Sequence, residues 1–487
     1  MSLELTDEQK AWIDTLQAYK PSFLSARAGT GKTATIVEGI KKGAREGWLN
    51  LRDLTVVAFN KRNQEVLVER LEAECNAGLQ VATLHSLGFS ALRTRLARVE
   101  VDNDKCWKIL RSRQGKLSKS KKMTHTQMVD TLRAIKAMKI VGGREMENRN
   151  IPLWIREENP DYLEDEVWEG LEASENLAKD KGVIDFADMI LLPWKWRLGL
   201  FNRSRVIVDE AQDLAPMDWD LLARSVSKRW LVGDPYQRIY QFRDRMGAGE
   251  IDGQLRRLHI EQTLGLTKCW RCGKKIIGEA QVFVPDIRAG VEEEGKVELR
   301  TSVDWSLEQP ATILSRTNQQ LVRIGLELKD YGRPVFFVGK EFRSRLKDIL
   351  DGLRGDGKEE LTMGLLNYYH KVLGLCGESD GLKDACDALQ WFIVKFDKRA
   401  RIEREMDKFF LENEVAGGWT LSTIHRAKGL EWDKVFLLDW NGGRDSEEEL
   451  RNLRYVAITR AKKELVVVRA EKEKTLTDEE EIMKQWV

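Results

Sequence analysis

Ser25-Ala26-Arg27-Ala28-Gly29-Thr30-Gly31-Lys32-Thr33 follows the apolar pair Phe23-Leu24 and runs into a helical pattern from Ala34 to Lys42. A strand, a glycine turn and a helix start in that order aim backbone N–H groups and a helix dipole at a phosphate chain. Lys32 then supplies a point charge to the phosphates, and Thr33 a hydroxyl for a magnesium ion. The strict pattern G-x-x-x-x-G-K-[ST] is not met, because Ala26 stands at its first glycine. The bland alternative for this segment alone is a glycine-containing loop before an ordinary helix.

Outward from that stretch, residues 5–88 alternate strand-like and helical runs. Residues 22–26 and 54–60 are short apolar or β-branched runs, with a helical stretch between them that breaks at Gly43 and Gly47. This is the βαβ pattern of a parallel sheet. Between residues 90 and 180 the strand signal disappears and the charge divides. Arg93, Arg95, Arg98, Lys105, Lys108, Arg111, Arg113, Lys116, Lys119, Lys121 and Lys122 make one half basic, while Glu157, Glu158, Asp161, Glu164, Asp165, Glu166 and Glu169 make the other acidic. The basic half reads equally as a solvated helix face or as a phosphate-contacting surface.

Strand-like runs return at 205–209 and 230–233 and are expected to close the first sheet. A second set at 311–315, 334–339, 419–423, 434–439 and 464–469 surrounds a strandless helical stretch, 341–415. The expected fold is α/β, with two parallel-sheet cores, each interrupted by a helical insertion. The expected boundaries are 1–89 and 184–262 for the first core, with its insert at 90–183. The second core takes 263–340 and 416–487, with a small insert at 341–415. The charged stretch from Glu471 is expected to be a last helix.

Composition bounds the function classes. Lys and Arg total 80 against 79 Asp and Glu, a net charge of +1, so any nucleic-acid partner has to be argued from local charge. No apolar run approaches the roughly 18 residues of a membrane span, and Met1-Ser2-Leu3-Glu4 lacks the regions of a signal peptide. A cytoplasmic location with no membrane partner is the expectation. Six cysteines in 487 residues do not make a disulfide scaffold. Cys269 and Cys272 form a C-x-x-C, but neither Cys376 nor Cys386 is spaced to complete a zinc site, so no zinc is expected. The 16 tryptophans read mostly as packing residues.

Val206-Ile207-Val208-Asp209-Glu210 puts two adjacent carboxylates at the end of a buried strand. Beside a phosphate loop, the first acid holds magnesium and the second orients or deprotonates an attacking water. Two acids after a strand are common. Followed by Ala211-Gln212-Asp213 and paired with the phosphate loop, they are specific.

Together these segments resemble, in order, the motifs of superfamily 1 DNA helicases of the UvrD/Rep type, from residue 5 to about residue 468. Leu5 and Gln9 resemble the adenine-reading glutamine motif, and Ala28 to Thr33 the family's phosphate loop. Thr83-Leu84-His85-Ser86 is similar to a DNA-contacting segment, and Asp185-Phe186-Ala187-Asp188 to the one leading into Asp209-Glu210-Ala211-Gln212-Asp213. The stretch from Val232 to Arg243 resembles the third motif, in which Gln237 senses the γ-phosphate and aromatics stack on bases. Cys269-Trp270-Arg271 stands where the family has Asn-Tyr-Arg. Residues 313–318, 423–432 and 453–462 resemble the motifs of the second core.

The resemblance implies two RecA-like P-loop cores and an ATP-dependent helicase or translocase moving 3′ to 5′ on single-stranded DNA, with ATP and Mg2+ as cofactors. Its implied catalytic set is Lys32, Asp209, Glu210, Gln237, Arg271 and Arg460. ATP contacts fall on Gln9, Ala28, Gly29, Thr30, Gly31, Lys32, Thr33, Trp270, Arg271, Glu431 and Arg460, with Thr33 and Asp209 on the metal. DNA contacts fall on Phe59, Asn60, His85, Tyr240, Phe242, Arg243, Arg316, Thr423 and His425. Implied partners are single-stranded DNA, tailed or forked duplexes, and replication or recombination proteins of a bacterial or phage-infected cytoplasm.

Two features depart from the pattern. Val57-Ala58-Phe59-Asn60-Lys61 is one residue short of the family's Thr-Phe-Thr-Asn-Lys, and the second insert is small. A translocase that strips proteins or remodels recombination intermediates without processive unwinding is therefore the alternative. A third reading is a nucleotide-gated DNA-binding protein without turnover. Fewer than twenty residues follow Val468, so neither a fused nuclease nor a long partner-binding tail is expected.

Overall fold

The structure, a computed structural model, describes residues 4–469 apart from 76–77, 117–121, 202, 226–227, 241–245, 247–248, 340, 377–379, 412–416 and 440–445. The stretch from Glu471 thus lies outside the described residues. The chain divides into two units, Met1–Cys269 and Trp270–Val487.

The strands of the first unit are β1 (Ser22–Ala26), β2 (Leu54–Ala58), β3 (Gln80–Thr83), β4 (Glu100–Val101), β5 (Val183–Ile184), β6 (Arg205–Val208), β7 (Lys228–Gly233), β8 (Gln262–Leu266) and the short β9 (Lys268–Cys269). Six of them make one parallel sheet in the order β3-β2-β6-β7-β1-β8. Val56, Val57, Val206, Ile207 and Val208 are fully buried, as continuous apolar strands of a parallel sheet covered on both faces must be. One face packs against Trp12, Ile36 and Ile40, the other against Leu84, Trp194 and Trp219. In such sheets the loops at the carboxyl ends of the strands carry the ligand chemistry.

Three expectations need correcting here. The first sheet does not close at β7, because residues 262–266 add an outer strand beside β1. The expected boundary at 262/263 falls inside β8, and the division comes after Cys269. Only Leu266 of Gln262-Thr263-Leu264-Gly265-Leu266 is buried, so this edge carries no apolar run to read. The stretch after residue 90 is also not strandless, since β4 pairs with β5 and the expected 183/184 boundary splits that pair. The rest of the insert is helical, with Lys105–Lys116, His125–Val141, Leu153–Glu158 and Glu164–Lys181 packed round Leu110, Ile135, Met138 and Val167.

The second unit contains β10 (Arg288–Ala289), β11 (Lys296–Arg300), β12 (Thr312–Ser315), β13 (Val335–Phe337), β14 (Trp419–Thr423), β15 (Trp432–Leu438) and β16 (Ala461–Val468). Its sheet is again parallel and six-stranded, in the order β11-β16-β15-β12-β14-β13. β11 was not anticipated, because Lys296-Val297-Glu298-Leu299-Arg300 alternates charge with apolar residues at an edge. The helices Glu341–Gly352, Lys358–Cys376, Asp380–Phe396 and Arg399–Leu411 share one core with the sheet, joining Phe392 and Phe409 to Trp419 and Phe436. Unlike the first insert, the second packs its described residues into the core of its sheet. No helix among the described residues is long and apolar enough to cross a membrane.

Candidate active site

β1 ends at buried Ala26, and the chain turns through Arg27–Gly31. The Arg27 N–H donates to the Leu266 carbonyl at 2.9 Å, and the Thr30 hydroxyl returns to the Arg27 carbonyl at 2.7 Å. Gly29 and Gly31 take φ of 67° and 86°, left-handed positions that glycine adopts without steric cost. Gly31 starts the helix Lys32–Arg45 with no side-chain cap, so its first N–H groups are turned toward an incoming anion. Behind the loop, the Gln9 amide donates to Thr35 Oγ1 at 3.1 Å and its carbonyl oxygen accepts from the Thr6 N–H at 2.9 Å. A Cβ on Gly31 would come 3.2 Å from Gln9 Nε2.

β6 delivers the two acids. The Asp209 N–H donates to the Val57 carbonyl at 2.9 Å, while Glu210 takes a left-handed φ of 54°, a strained setting of the kind that clusters at functional sites. Lys32 Nζ lies 3.0 Å from Glu210 Oε2, and Gln212 Nε2 donates to the same oxygen at 2.6 Å. Gln212 Oε1 accepts from the Asp234 N–H at 3.0 Å, and Asp234 Oδ2 from Gln237 Nε2 at 2.7 Å. Lys32, Glu210, Gln212, Asp234 and Gln237 therefore form one connected line. Gly233 leaves room beside it, since a Cβ there would come 2.5 Å from Gln212 Oε1 and displace that amide.

Carboxylates outnumber cations in this line. Burial, then the Glu210 charge, pushes the Asp209 carboxyl up to about 7, against the pull of Lys32. Burial likewise raises Asp234 against Lys32 and Arg27. Burial alone would lower the Lys32 ammonium, but Glu210, Asp234 and Asp209 more than offset it. Among the described residues no three acidic, histidine or cysteine side chains are grouped to hold a metal ion, so the surplus negative charge suits a magnesium ion that takes one or two protein oxygens and its remaining ligands from phosphates and water.

The aromatics and polar groups expected on DNA lie at neighbouring strand ends. Phe59 and Tyr240 stack with centroids 6.3 Å apart, and Asn60 caps the next helix by accepting from the Asn63 N–H at 2.8 Å. His85 stacks on Phe186 at 4.0 Å and 17°. Phe186, 55% exposed, is not among the residues expected on DNA; its signal is its place in the family-like segment Asp185-Phe186-Ala187-Asp188. Phe242 and Arg243 lie outside the described residues.

The acids flanking Phe186 do something other than face a ligand. Lys139 Nζ donates to Asp185 Oδ2 at 2.6 Å, Asp188 Oδ1 at 2.8 Å and Ser174 Oγ at 2.9 Å. Lys105 Nζ donates to Asp188 Oδ2 at 2.6 Å. All four charged groups are buried. Burial and the neighbouring Lys139 charge lower Lys105 despite Asp188, whereas in Lys139 the two aspartates overcome burial and raise it. Of the basic run, Lys105 is thus neither a solvated face nor a phosphate contact. Arg113 likewise answers the acidic half, bonding Glu166 at 3.0 Å and pairing with Glu169.

In the second unit, Arg271 pairs with Glu431 and donates to the Thr459 carbonyl at 3.2 Å. Arg460 is buried and donates to the carbonyls of Val456 at 2.9 Å and Leu430 at 3.0 Å. Burial, then the Arg271 charge, lowers it to about 10. Trp270 is 45% exposed. Ser315 and Thr423 are paired residues of adjacent strands, so Arg316 and Ile424-His425 leave the sheet side by side.

Residues 5–246 match the model of the UvrD/REP helicase N-terminal domain, and residues 419–468 that of the UvrD-like helicase C-terminal domain. The chain belongs to the UvrD/REP helicase family. This UvrD-like chain is 25% identical over 518 residues to F-box DNA helicase 1 of Gallus gallus, covering 96% of this chain and 49% of that one. It is 24% identical over 575 residues to the ATP-dependent DNA helicase UvrD2 of Mycobacterium tuberculosis, covering 95% and 78%. It therefore spans about half the length of the chicken relative. Among solved structures it is similar to the Arterivirus nonstructural protein 10 helicase, at 12% identity and a TM-score of 0.37 over 96% of this chain and 63% of that one. The two family matches take in Lys32, Asp209, Glu210, Gln237, Thr423, His425, Glu431 and Arg460, while Trp270, Arg271 and Arg316 lie between them.

Proposed function

We propose that the chain is an ATP-dependent DNA helicase that moves 3′ to 5′ on single-stranded DNA. The observation that carries this reading is the Lys32–Glu210 contact of 3.0 Å at the mouth of an uncapped helix, with Asp209 beside it. Lys32 and the N–H groups of Gly29 to Thr33 hold the phosphates, Glu210 orients the attacking water, and Gln237 reports on the γ-phosphate. Thr33 and Asp209 would hold Mg2+, which supplies charge neutralisation at the phosphate oxygens when bound. Arg271 and Arg460 are assigned to transition-state charge, a role in which one arginine is worth on the order of 10³ to 10⁵ in rate. Gln9 and Trp270 take the adenine, and Glu431 orients Arg271. On DNA, Phe59, His85 and Tyr240 stack on bases at roughly 1–3 kcal/mol each. Asn60, Arg316, Thr423 and His425 hold the backbone.

A second reading, translocation without strand separation, is favoured by one observation. Among the described residues the second insert is four helices fused into the core of its sheet, not a separate module to engage duplex. Both readings are tested on matched duplexes bearing a 3′ tail, a 5′ tail or none, with hydrolysis followed in the same tubes and Lys32→Ala as control. The proposal expects unwinding of the 3′-tailed duplex alone, lost in the variant. Tail-stimulated hydrolysis without unwinding would select the second reading, and unwinding from a 5′ tail alone would overturn the polarity.

A further inference from the structure

Arg27 follows β1 directly, and only 8% of it is exposed. A guanidinium is not buried beside a phosphate loop without consequence, because desolvating it is costly unless its surroundings answer the charge. Its Nη1 donates to Ser25 Oγ at 3.0 Å and lies 3.8 Å from Asp234 Oδ1. Its planar face sits 4.7 Å from the centre of the Tyr236 ring. Its own N–H is spent on Leu266 of β8. One residue thus ties the ends of β1, β7 and β8 together.

What it grips is the turn that carries the γ-phosphate sensor. Asp234 Oδ1 also accepts from the Tyr236 N–H at 3.2 Å, and Asp234 Oδ2 holds the Gln237 amide at 2.7 Å. Three residues beyond Gln237, Tyr240 stacks on Phe59. Arg27 thus joins the phosphate loop to Asp234 and Tyr236 directly, beside the longer line through Lys32, Glu210 and Gln212. Lysine would not substitute fully, since only a planar fork meets a carboxylate and an aromatic face together.

We propose that Arg27 is a positioning residue that couples the phosphate loop to the Asp234–Gln237 turn and so makes nucleotide hydrolysis responsive to single-stranded DNA. The proposal rests on the reading of the chain as a DNA-dependent ATPase.

The test compares wild type, Arg27→Ala, Arg27→Lys, Tyr236→Leu and the Arg27→Ala/Tyr236→Leu double variant. It measures hydrolysis with and without oligo(dT), affinity for a fluorescent ATP analogue, and oligo(dT) affinity with and without a non-hydrolysable ATP analogue. Arg27→Ala is expected to lose about tenfold of the stimulation by DNA, the size of ordinary coupling between sites, a fall clearly larger than any change in its basal rate or nucleotide affinity. Its DNA affinity should no longer depend on nucleotide, Arg27→Lys should be intermediate, and the double variant should be no worse than Arg27→Ala.

Stimulation within about twofold of wild type in Arg27→Ala would overturn the proposal, as would an equal fall of basal and stimulated rates, which marks a role in chemistry or loop folding. If Arg27→Ala does not fold, Tyr236→Leu decides, and full stimulation in that variant overturns it. Absence of stimulation in wild type would instead overturn the functional reading beneath it.

Discussion

Two lysine–carboxylate clusters in the first unit look alike as inventories and differ in balance. At the insert, Lys105 and Lys139 face Asp185 and Asp188, charge for charge, with every group buried and bonded. At the phosphate loop, Lys32 and Arg27 face Asp209, Glu210 and Asp234, and burial, then the Glu210 charge, raises the Asp209 carboxyl to about 7. A balanced buried cluster is finished and has nothing left to bind. An unbalanced one at an open helix start has charge and N–H groups suited to a cation and a phosphate chain. The insert cluster serves the site indirectly, by fixing the segment that presents Phe186 to His85.

That contrast breaks most visibly at Lys139. Lys139→Met leaves two buried carboxylates short of a partner and should destabilise the protein by about 3–5 kcal/mol, read from chemical denaturation. Adding Asp185→Asn, which leaves the Lys105–Asp188 pair in place, should restore part of the loss. A stability within about 0.5 kcal/mol of wild type would mean the cluster does not fix the Phe186 segment.

A smaller effect belongs to the aromatic pair. His85→Ala should weaken binding to oligo(dT) by about 1–3 kcal/mol, measured by fluorescence anisotropy, while leaving the melting temperature in place. Unchanged DNA affinity would remove His85 from the DNA face.

The smallest effect is a difference in sign with pH. Asp185 is lowered, because Lys139 outweighs burial, so its contribution is present above its ordinary value near 3.8 and is lost as pH falls through the folded value. Asp209 is raised to about 7, so in that window the folded state holds a proton the unfolded chain has released. Its contribution therefore worsens as pH rises from about 4 to about 7. Asp209→Asn should flatten that part of the stability curve in nucleotide-free protein and raise the melting temperature at pH 7.5 by a few degrees. An unchanged slope would contradict a raised Asp209 carboxyl.

How far the sequence could be read follows from the same contrast. The phosphate loop and the Asp209-Glu210 pair are short linear patterns, and the strand behind them is buried on both faces, so Val206-Ile207-Val208 announces itself. β8 and β11 lie at sheet edges, where one buried residue or a charged alternation leaves no run. The Lys139 latch was illegible because its partners are 46 and 49 residues away and Lys105 reaches across 83. In the sequence those lysines are indistinguishable from solvated ones. Arg27 was hidden inside the most legible motif of all, since its partners Asp234 and Tyr236 are joined to it only by the sheet order that brings β7 beside β1.

The central claim is that the unbalanced cluster hydrolyses ATP, with Glu210 acting on the water and Lys32 on the phosphates. The most direct test is steady-state ATP hydrolysis on oligo(dT) by wild type and Glu210→Gln, with nucleotide affinity measured on the same preparations. Glu210→Gln should retain nucleotide binding while turnover falls by about 10²- to 10⁴-fold, the usual worth of a positioned base. Turnover close to wild type would contradict the assignment of the reaction to this site.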